Sequence, residues 1–536
     1  MPSLMKSSLV GIFLCALLSG CAELPVNIAY LYQSHFLLLH KDGMAIKPPD
    51  RSTVVEEPDA TIDFTQTYGA IDDQPHVGNS IRAGIDRYIL ERKEHQPKAN
   101  CGSTGTIHLL IIVHGGMNDD LTSAKHMLDL MYPPLSAPEE STTLPPLRTM
   151  PQEPTLLNET CYYPVFLNWD SDMLDSMADD LVRIRFGEDD ARFAVPTFPL
   201  MLGGRLLSGI AGMPSSLVHN GITIKDTFVG SHEVGDPFGA ALGDAFLYFP
   251  LNVLYTVGIP IGEGLGCPAW NIMKRRVDLA VANYLDGDQK SISGGFRTLL
   301  KNLKTWIRQD GKQWYWGQTK LPVTVTLVGH SMGTMILNRL LTETEDESPS
   351  HVPALSLPIR RIIYLAPAAS INETEALLMP YLKRHAGTEF WLFTLNRRDE
   401  SREYDWRKGS IMFPRGSLLT WIDTFLETET DPGQATLGWV KNLQSYYPVD
   451  PVSPPYSIGM KEYFFPESSI PLSPWQKLNV HWHLEHSERA QAFQSTRRVW
   501  SDAAPGEHGD FLKPQYFSQV LCQVDASLMP VRTCPR

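Results

Sequence analysis

Residues 323–341 read VTVTLVGHSMGTMILNRLL. The first six are β-branched or apolar, a composition that fits a pleated, buried strand. Met335, Ile336, Arg339, Leu340 and Leu341 then recur at helical spacing. Between them stands Gly329-His330-Ser331-Met332-Gly333. A polar serine on a glycine-flanked strand-to-helix junction is placed to be used as a nucleophile. The glycines allow a sharp turn and close packing, which lifts the hydroxyl to the carboxyl end of a sheet. The first amides of the helix lack intrahelical partners and are free to face a developing oxyanion.

The segment resembles the nucleophile elbow of the α/β-hydrolase superfamily, specifically the serine esterases and lipases that carry GHSMG. The likeness covers the sheet-forming segments, about half of the chain, and is specific for the superfamily but weak for the substrate. It implies a doubly wound, mostly parallel α/β sheet. It also implies the chain order serine, acid, histidine.

Working outward, Thr106–Val113 is a strong strand, followed by His114-Gly115-Gly116 and a helical pattern over Asp119–Met131. Seven prolines within 132–154 predict a surface loop. Tyr163–Asn168, Val323–Val328, Arg361–Leu365 and Glu389–Leu395 read as further strands. Helical patterns fall at Met273–Tyr284, Phe296–Gln309, Met332–Thr344 and Glu373–His385. Strands alternating with helices predict a parallel, doubly wound sheet. No internal repeat is present.

A serine hydroxyl needs a base, and the base needs an acid to fix its tautomer. The resemblance places the acid just past a strand downstream of Ser331. That points to Asp399 after EFWLFTLNRR, with Glu400 as its neighbour. It places the base in a late loop before a last helix. His508-Gly509-Asp510-Phe511, ahead of the pattern Gln515–Val524, fits it. The competitor is His481-Trp482-His483-Leu484-Glu485-His486, whose alternating start reads as strand and which lacks the HExxH metal spacing. Two oxyanion donors are expected, the amides of Met332 and of Gly116, with Met117 as second choice for the latter. Asn118 or Asp119 is placed to cap the next helix.

The chain has 536 residues, 43% of them hydrophobic, enough for one large or two ordinary cores. Its net charge is -14 and no basic block is present, which argues against nucleic acid as a partner. Lys6 precedes the apolar run SSLVGIFLCALL, which is too short for an ordinary membrane span, and Leu18-Ser19-Gly20-Cys21 follows. This resembles a bacterial lipobox, which implies a signal peptide over 1–20 and lipidation at Cys21. Ala22 after Cys21 favours the outer membrane over retention at the inner one by the same resemblance. Export permits disulfides. Cys101 with Cys161, and Cys522 with Cys534, are natural pairs that leave Cys267 over, though spacing alone does not decide connectivity.

The expected organisation is a tether and N-terminal region over 21–100, then a core over 101–170 and 273–536 with an excursion at 406–500. A cap or lid insertion occupies 171–272. Ala194–Asn220 carries one charge, Arg205, and Ala245–Gly262 carries none. Pro250, Gly258 and Pro260 argue against a regular membrane span in the second stretch. The function expected is hydrolysis of small-molecule or lipid carboxylic esters through an acyl-enzyme, without metal or organic cofactor. An acyltransferase with the same triad and a non-catalytic envelope lipoprotein remain alternatives.

Overall fold

In a computed structural model of the chain, the residues described are 34–47, 66–68, 71–94, 105–116, 120–131, 160–185, 188–189, 192–210, 262–285, 291–317, 319–342, 357–395, 417–427, 432–439, 441–443, 480–485 and 508–529. They form an α/β protein around one mixed, mostly parallel sheet.

The strands are β1 (Phe36–Leu39), β2 (Ile107–Val113), β3 (Tyr162–Trp169), the short pair β4 (Ile184–Arg185) and β5 (Glu188–Asp189), and the hairpin β6 (Asn283–Leu285) and β7 (Ser291–Ser293). There follow β8 (Ile307–Asp310), β9 (Gln313–Trp316), β10 (Leu321–His330), β11 (Ile359–Leu365), β12 (Glu389–Leu395) and β13 (Val480–Glu485). The helices are α1 (Asn79–Glu94), α2 (Asp120–Met131), α3 (Met173–Val182), α4 (Arg192–Ile210) and α5 (Cys267–Val281). They continue with α6 (Gly295–Trp306), α7 (Gly333–Leu341), α8 (Ile371–Arg384), α9 (Leu418–Trp421) and α10 (Pro514–Asp525).

The large sheet runs β1-β3-β2-β10-β11-β12-β13, every neighbour parallel. β2, β3 and nearly all of β10 and β11 are buried, as their mainly apolar and β-branched sequences require of strands covered on both faces. From β2 the chain crosses through α2 to β3, in one direction. From β10 it crosses through α7 to β11, in the other. Right-handed crossovers then put α2 and α7 on opposite faces. The order reverses between β2 and β10, so the crevice at their carboxyl ends is a topological switch point.

The differences from the sequence reading are local. The predicted helix Phe296–Gln309 stops at Trp306, and β8 takes over at Ile307. β8 and β9 form an antiparallel hairpin that joins the sheet beside β10. Gly311, at φ 62°, makes its turn, and the aromatic run Trp314-Tyr315-Trp316 supplies its second strand. Helix α5 starts at Cys267, with Pro268 in its first turn, so it crosses the expected insertion boundary at 272. It packs along α3 and α7, which knits the start of the insertion into the body. Cys161 and Cys522 are each disulfide-bonded and Cys267 is not, whereas Cys21, Cys101 and Cys534 lie outside the described residues.

Candidate active site

β10 delivers His330 and Ser331 to the carboxyl edge of the sheet, and α7 begins two residues later. Ser331 sits at φ 51°, in the left-handed region that costs an L-residue about 1–2 kcal/mol. Its backbone is pinned from several sides. Its amide donates to Leu365 O at 3.0 Å, while its carbonyl accepts from Thr334 Oγ1 at 2.6 Å and from Ala368 N at 3.1 Å. A Cβ at Gly333 would collide with the Val113 carbonyl, so only glycine lets α7 start this close to the end of β2. The sequence forms the elbow because each flanking contact over-determines the strained serine.

Ser331 is 1% exposed and its Oγ has no hydrogen-bond partner. A buried hydroxyl is normally satisfied, so this one stands out. His330 beside it is likewise incomplete. Its Nε2 donates to the His508 carbonyl at 2.9 Å, and its Nδ1 is unpartnered. The His330 and His508 rings lie 5.0 Å apart between centroids, inclined by 43°. His508 opens a 3-10 turn, His508–Leu512, that rests against α2 and leads into α10. Burial, and then the neighbouring His330, hold the His508 imidazole well below its ordinary pKa. Burial lowers His330 to about 4. Both rings are therefore neutral near pH 7, the form that accepts a proton. The Ser331 hydroxyl and the His508 ring are not hydrogen-bonded to each other.

The loop after β2 closes the site from the other side. A Cβ on Gly115 would collide with the Ser331 side chain, and one on Gly116 would lie 2.5 Å from Met332 Sδ. The Trp169 amide donates to His114 Nε2 at 3.1 Å, which leaves the proton on Nδ1. That Nδ1–H lies 2.6 Å from the Gly115 carbonyl, and the Ser171 hydroxyl donates to the same oxygen at 3.1 Å. Two donors thus hold the Gly115 carbonyl on the β3 side. The peptide is trans, so the Gly116 N–H faces the opposite way. Burial lowers the His114 pKa to about 4, so this arrangement does not depend on a charged ring.

Of the residues read from the sequence, Ser331, Met332, Gly116 and His508 come together here. Asp399, Glu400, Met117, Asn118, Asp119 and His486 lie outside the described residues; β12 ends at Leu395, four positions before Asp399. His481 and His483 lie on β13 at the edge of the sheet, in register with Trp391 and Phe393 of β12. Sequence reasoning missed His330 and Ser171. His330 stands inside the motif itself, and Ser171 falls directly after the Trp169-Asp170 end of β3, a position that faces the switch point.

A cavity of about 410 Å³ lies alongside, bordered by Met335 and Ala368 near the elbow and by Trp270 and Ile422 farther out. Its cations are paired, Lys274 with Glu427 at 2.6 Å and Arg339 with Glu373 at 3.0 Å. No known protein family matches the chain, and no curated protein or solved structure is found similar to it.

Proposed function

We propose that the chain is a serine hydrolase of carboxylic esters, built on an α/β-hydrolase sheet. The observation that carries this reading is Ser331: a strained elbow residue, with an unpartnered Oγ, between a neutral histidine pair and an oriented glycine amide. The order along the sheet supports it. Ser331 follows β10, Asp399 is four residues past β12, and His508 comes after β13. That is the serine, acid, histidine order of the superfamily.

In this mechanism His508 takes the Ser331 proton as Oγ attacks the ester carbonyl. Asp399 orients the imidazole, and the Gly116 and Met332 amides hold the oxyanion. Collapse of the tetrahedral intermediate breaks the C–O bond, and His508 returns the proton to the leaving alcohol. Water, deprotonated by the same histidine, then releases the acid. The Ser331 hydroxyl must swing to His508 from its present position, a tightening common when substrate binds. Lipidation at Cys21 would hold the enzyme at the bacterial envelope, on the periplasmic side of the outer membrane, near small or lipid esters.

Labelling with a fluorophosphonate tests this. The wild-type chain should be labelled at Ser331, and Ser331→Ala should be folded but unlabelled. Absence of label on folded wild-type protein overturns the reading in favour of a scaffold without catalysis. Adding an alcohol acceptor to the assay distinguishes hydrolysis from acyl transfer.

A further inference from the structure

Helix α4 turns two apolar faces to two different surroundings. Ala194, Phe198, Met201, Leu202 and Leu206 recur at helical spacing on the side that is buried or half-buried. The opposite side is exposed and just as apolar. Leu200 is 81% exposed and Leu207 is 68% exposed, with Phe193, Val195 and Ile210 more than half exposed. Water-facing helix surfaces ordinarily carry charge. This one has none between Arg192 and Arg205.

The two polar side chains inside the apolar stretch of α4, Thr197 and Arg205, are bonded within the protein. Arg205 forms a two-pronged ion pair with Asp180 of α3, at 3.1 and 2.8 Å. The Thr197 hydroxyl donates back to the helix, to Phe193 O at 2.9 Å or Ala194 O at 3.0 Å. Such back-bonding satisfies a hydroxyl where water is absent. The helix also carries Pro196, Pro199, Gly203 and Gly204. In water these residues weaken a helix, so α4 draws its stability from its surroundings more than from its own propensity. A second protein would present a polar rim to meet, and the stretch Phe193–Leu207 of α4 carries no polar side chain besides Thr197 and Arg205, which are already bonded within the protein.

We propose that α4 is a membrane-contacting helix that lies in the interface of a lipid bilayer. It does not span it. Arg205 is tied to α3, and a Cβ on Gly264 would collide with the Arg205 carbonyl, so the inner face stays on the body. The outer face enters the acyl region of one leaflet. The chain is acidic overall, at -14, so apolar burial rather than attraction to anionic headgroups drives the contact. The lipid anchor expected at Cys21 would bring α4 to the same surface. The proposal does not rest on the hydrolase reading, since it concerns a face that exists whether or not Ser331 reacts.

The test places an environment-sensitive NBD fluorophore at Leu200→Cys in the full-length chain, with Cys267→Ser to remove the thiol that is not in a disulfide. Labelled Cys267→Ser protein without the added cysteine gives the background. Lys312→Cys, on the exposed β8–β9 turn, is the control, and Leu207→Cys repeats the measurement if the first variant misfolds. The probe is phosphatidylcholine vesicles. Emission at position 200 should shift to the blue and rise several-fold on adding vesicles, at low and high salt alike. Brominated lipid should quench it, and position 312 should not respond. No response at either 200 or 207 overturns the proposal. A blue shift before lipid that grows with protein concentration assigns the face to a second copy. A blue shift before lipid that is independent of concentration assigns it to the chain itself. Either result also overturns the proposal.

Discussion

Two polar clusters flank the carboxyl end of β3, and they are built by opposite rules. One is the ion network of Asp170, Asp175 and Asp179 around Arg276 and Lys41. Arg276, 5% exposed in its side chain, meets Asp179 at 2.5 Å, Asp175 at 3.0 Å and Asp170 at 3.2 Å. It also donates to the Asp170 carbonyl at 3.3 Å. Lys41 joins the same three carboxylates from the β1 side. The other cluster is His114, His330, His508 and Ser331, where neutral groups meet and Ser331 Oγ and His330 Nδ1 are left without partners. A structural cluster closes on itself because an unpaired buried charge is too costly to keep. The open cluster has unmade bonds to offer an arriving molecule, and the proposed function rests on it for that reason.

The largest effect that tests this contrast falls on His508. His508→Ala should reduce ester turnover by about a thousandfold or more, because an unassisted serine is barely ionised near neutral pH. His483→Ala, on the edge strand β13, should stay within about tenfold, measured as kcat on folded protein. The reverse pattern would move the base to β13 and leave the His330–His508 pair a packing feature.

Arg276→Met should have the next largest effect, on stability and not on turnover per folded molecule. It strands three carboxylates with one lysine, at a cost of about 3–5 kcal/mol. Chemical denaturation reads it directly. Ser331→Ala, measured the same way, should cost nothing and can gain slightly, since it removes an unsatisfied buried hydroxyl. If the two substitutions cost the same, the distinction between closed and open clusters fails.

Ser171→Ala sharpens the comparison at smaller scale. Ser171 donates to the Gly115 carbonyl, so in the proposed mechanism it positions the Gly116 amide. One lost hydrogen bond of about 1 kcal/mol should lower kcat roughly fivefold while KM holds. Ser171→Thr should restore most of the loss. A change confined to KM, or to stability, would make Ser171 a packing residue.

The sheet was legible because its central strands are buried on both faces and therefore read as runs dominated by apolar and β-branched residues, such as IHLLIIV and VTVTLV. The elbow was legible because strained chemistry demands glycine on both sides. The β8–β9 hairpin was not, since Trp306-Ile307-Arg308 continues the helical spacing of α6 and only the pairing with Trp316 makes it a strand. The ion network escaped for another reason: Lys41, Asp170 and Arg276 are joined by the fold alone. His330 escaped because a residue inside a motif reads as spacer until its ring is seen against His508.

The smallest expected effect is the pH dependence of stability, where the two kinds of buried group pull in opposite directions. Burial lowers His330 to about 4 from an ordinary 6.5. Between those values the unfolded chain takes up a proton that the folded chain refuses, so this group favours folding fully above pH 6.5 and less as pH falls toward 4. Asp423 behaves conversely. It is half-buried in the excursion after β12, where it accepts hydrogen bonds from Thr436 N at 2.8 Å and Asn442 Nδ2 at 2.6 Å. Burial nonetheless raises it to about 6 from 3.8. The folded chain then holds a proton that the unfolded chain releases, so this group favours folding below pH 4 and less as pH rises toward 6. Single substitutions separate them. Compared with wild type, His330→Asn should lose less stability between pH 6.5 and 4, and Asp423→Asn should lose more. Any constant offset from altered hydrogen bonds cancels in the slope. Two slopes of the same sign, from denaturation curves at pH 4, 5 and 6.5, would show that Asp423 is held ionised by its donors. The charge-neutral character assigned to the elbow would then no longer set it apart.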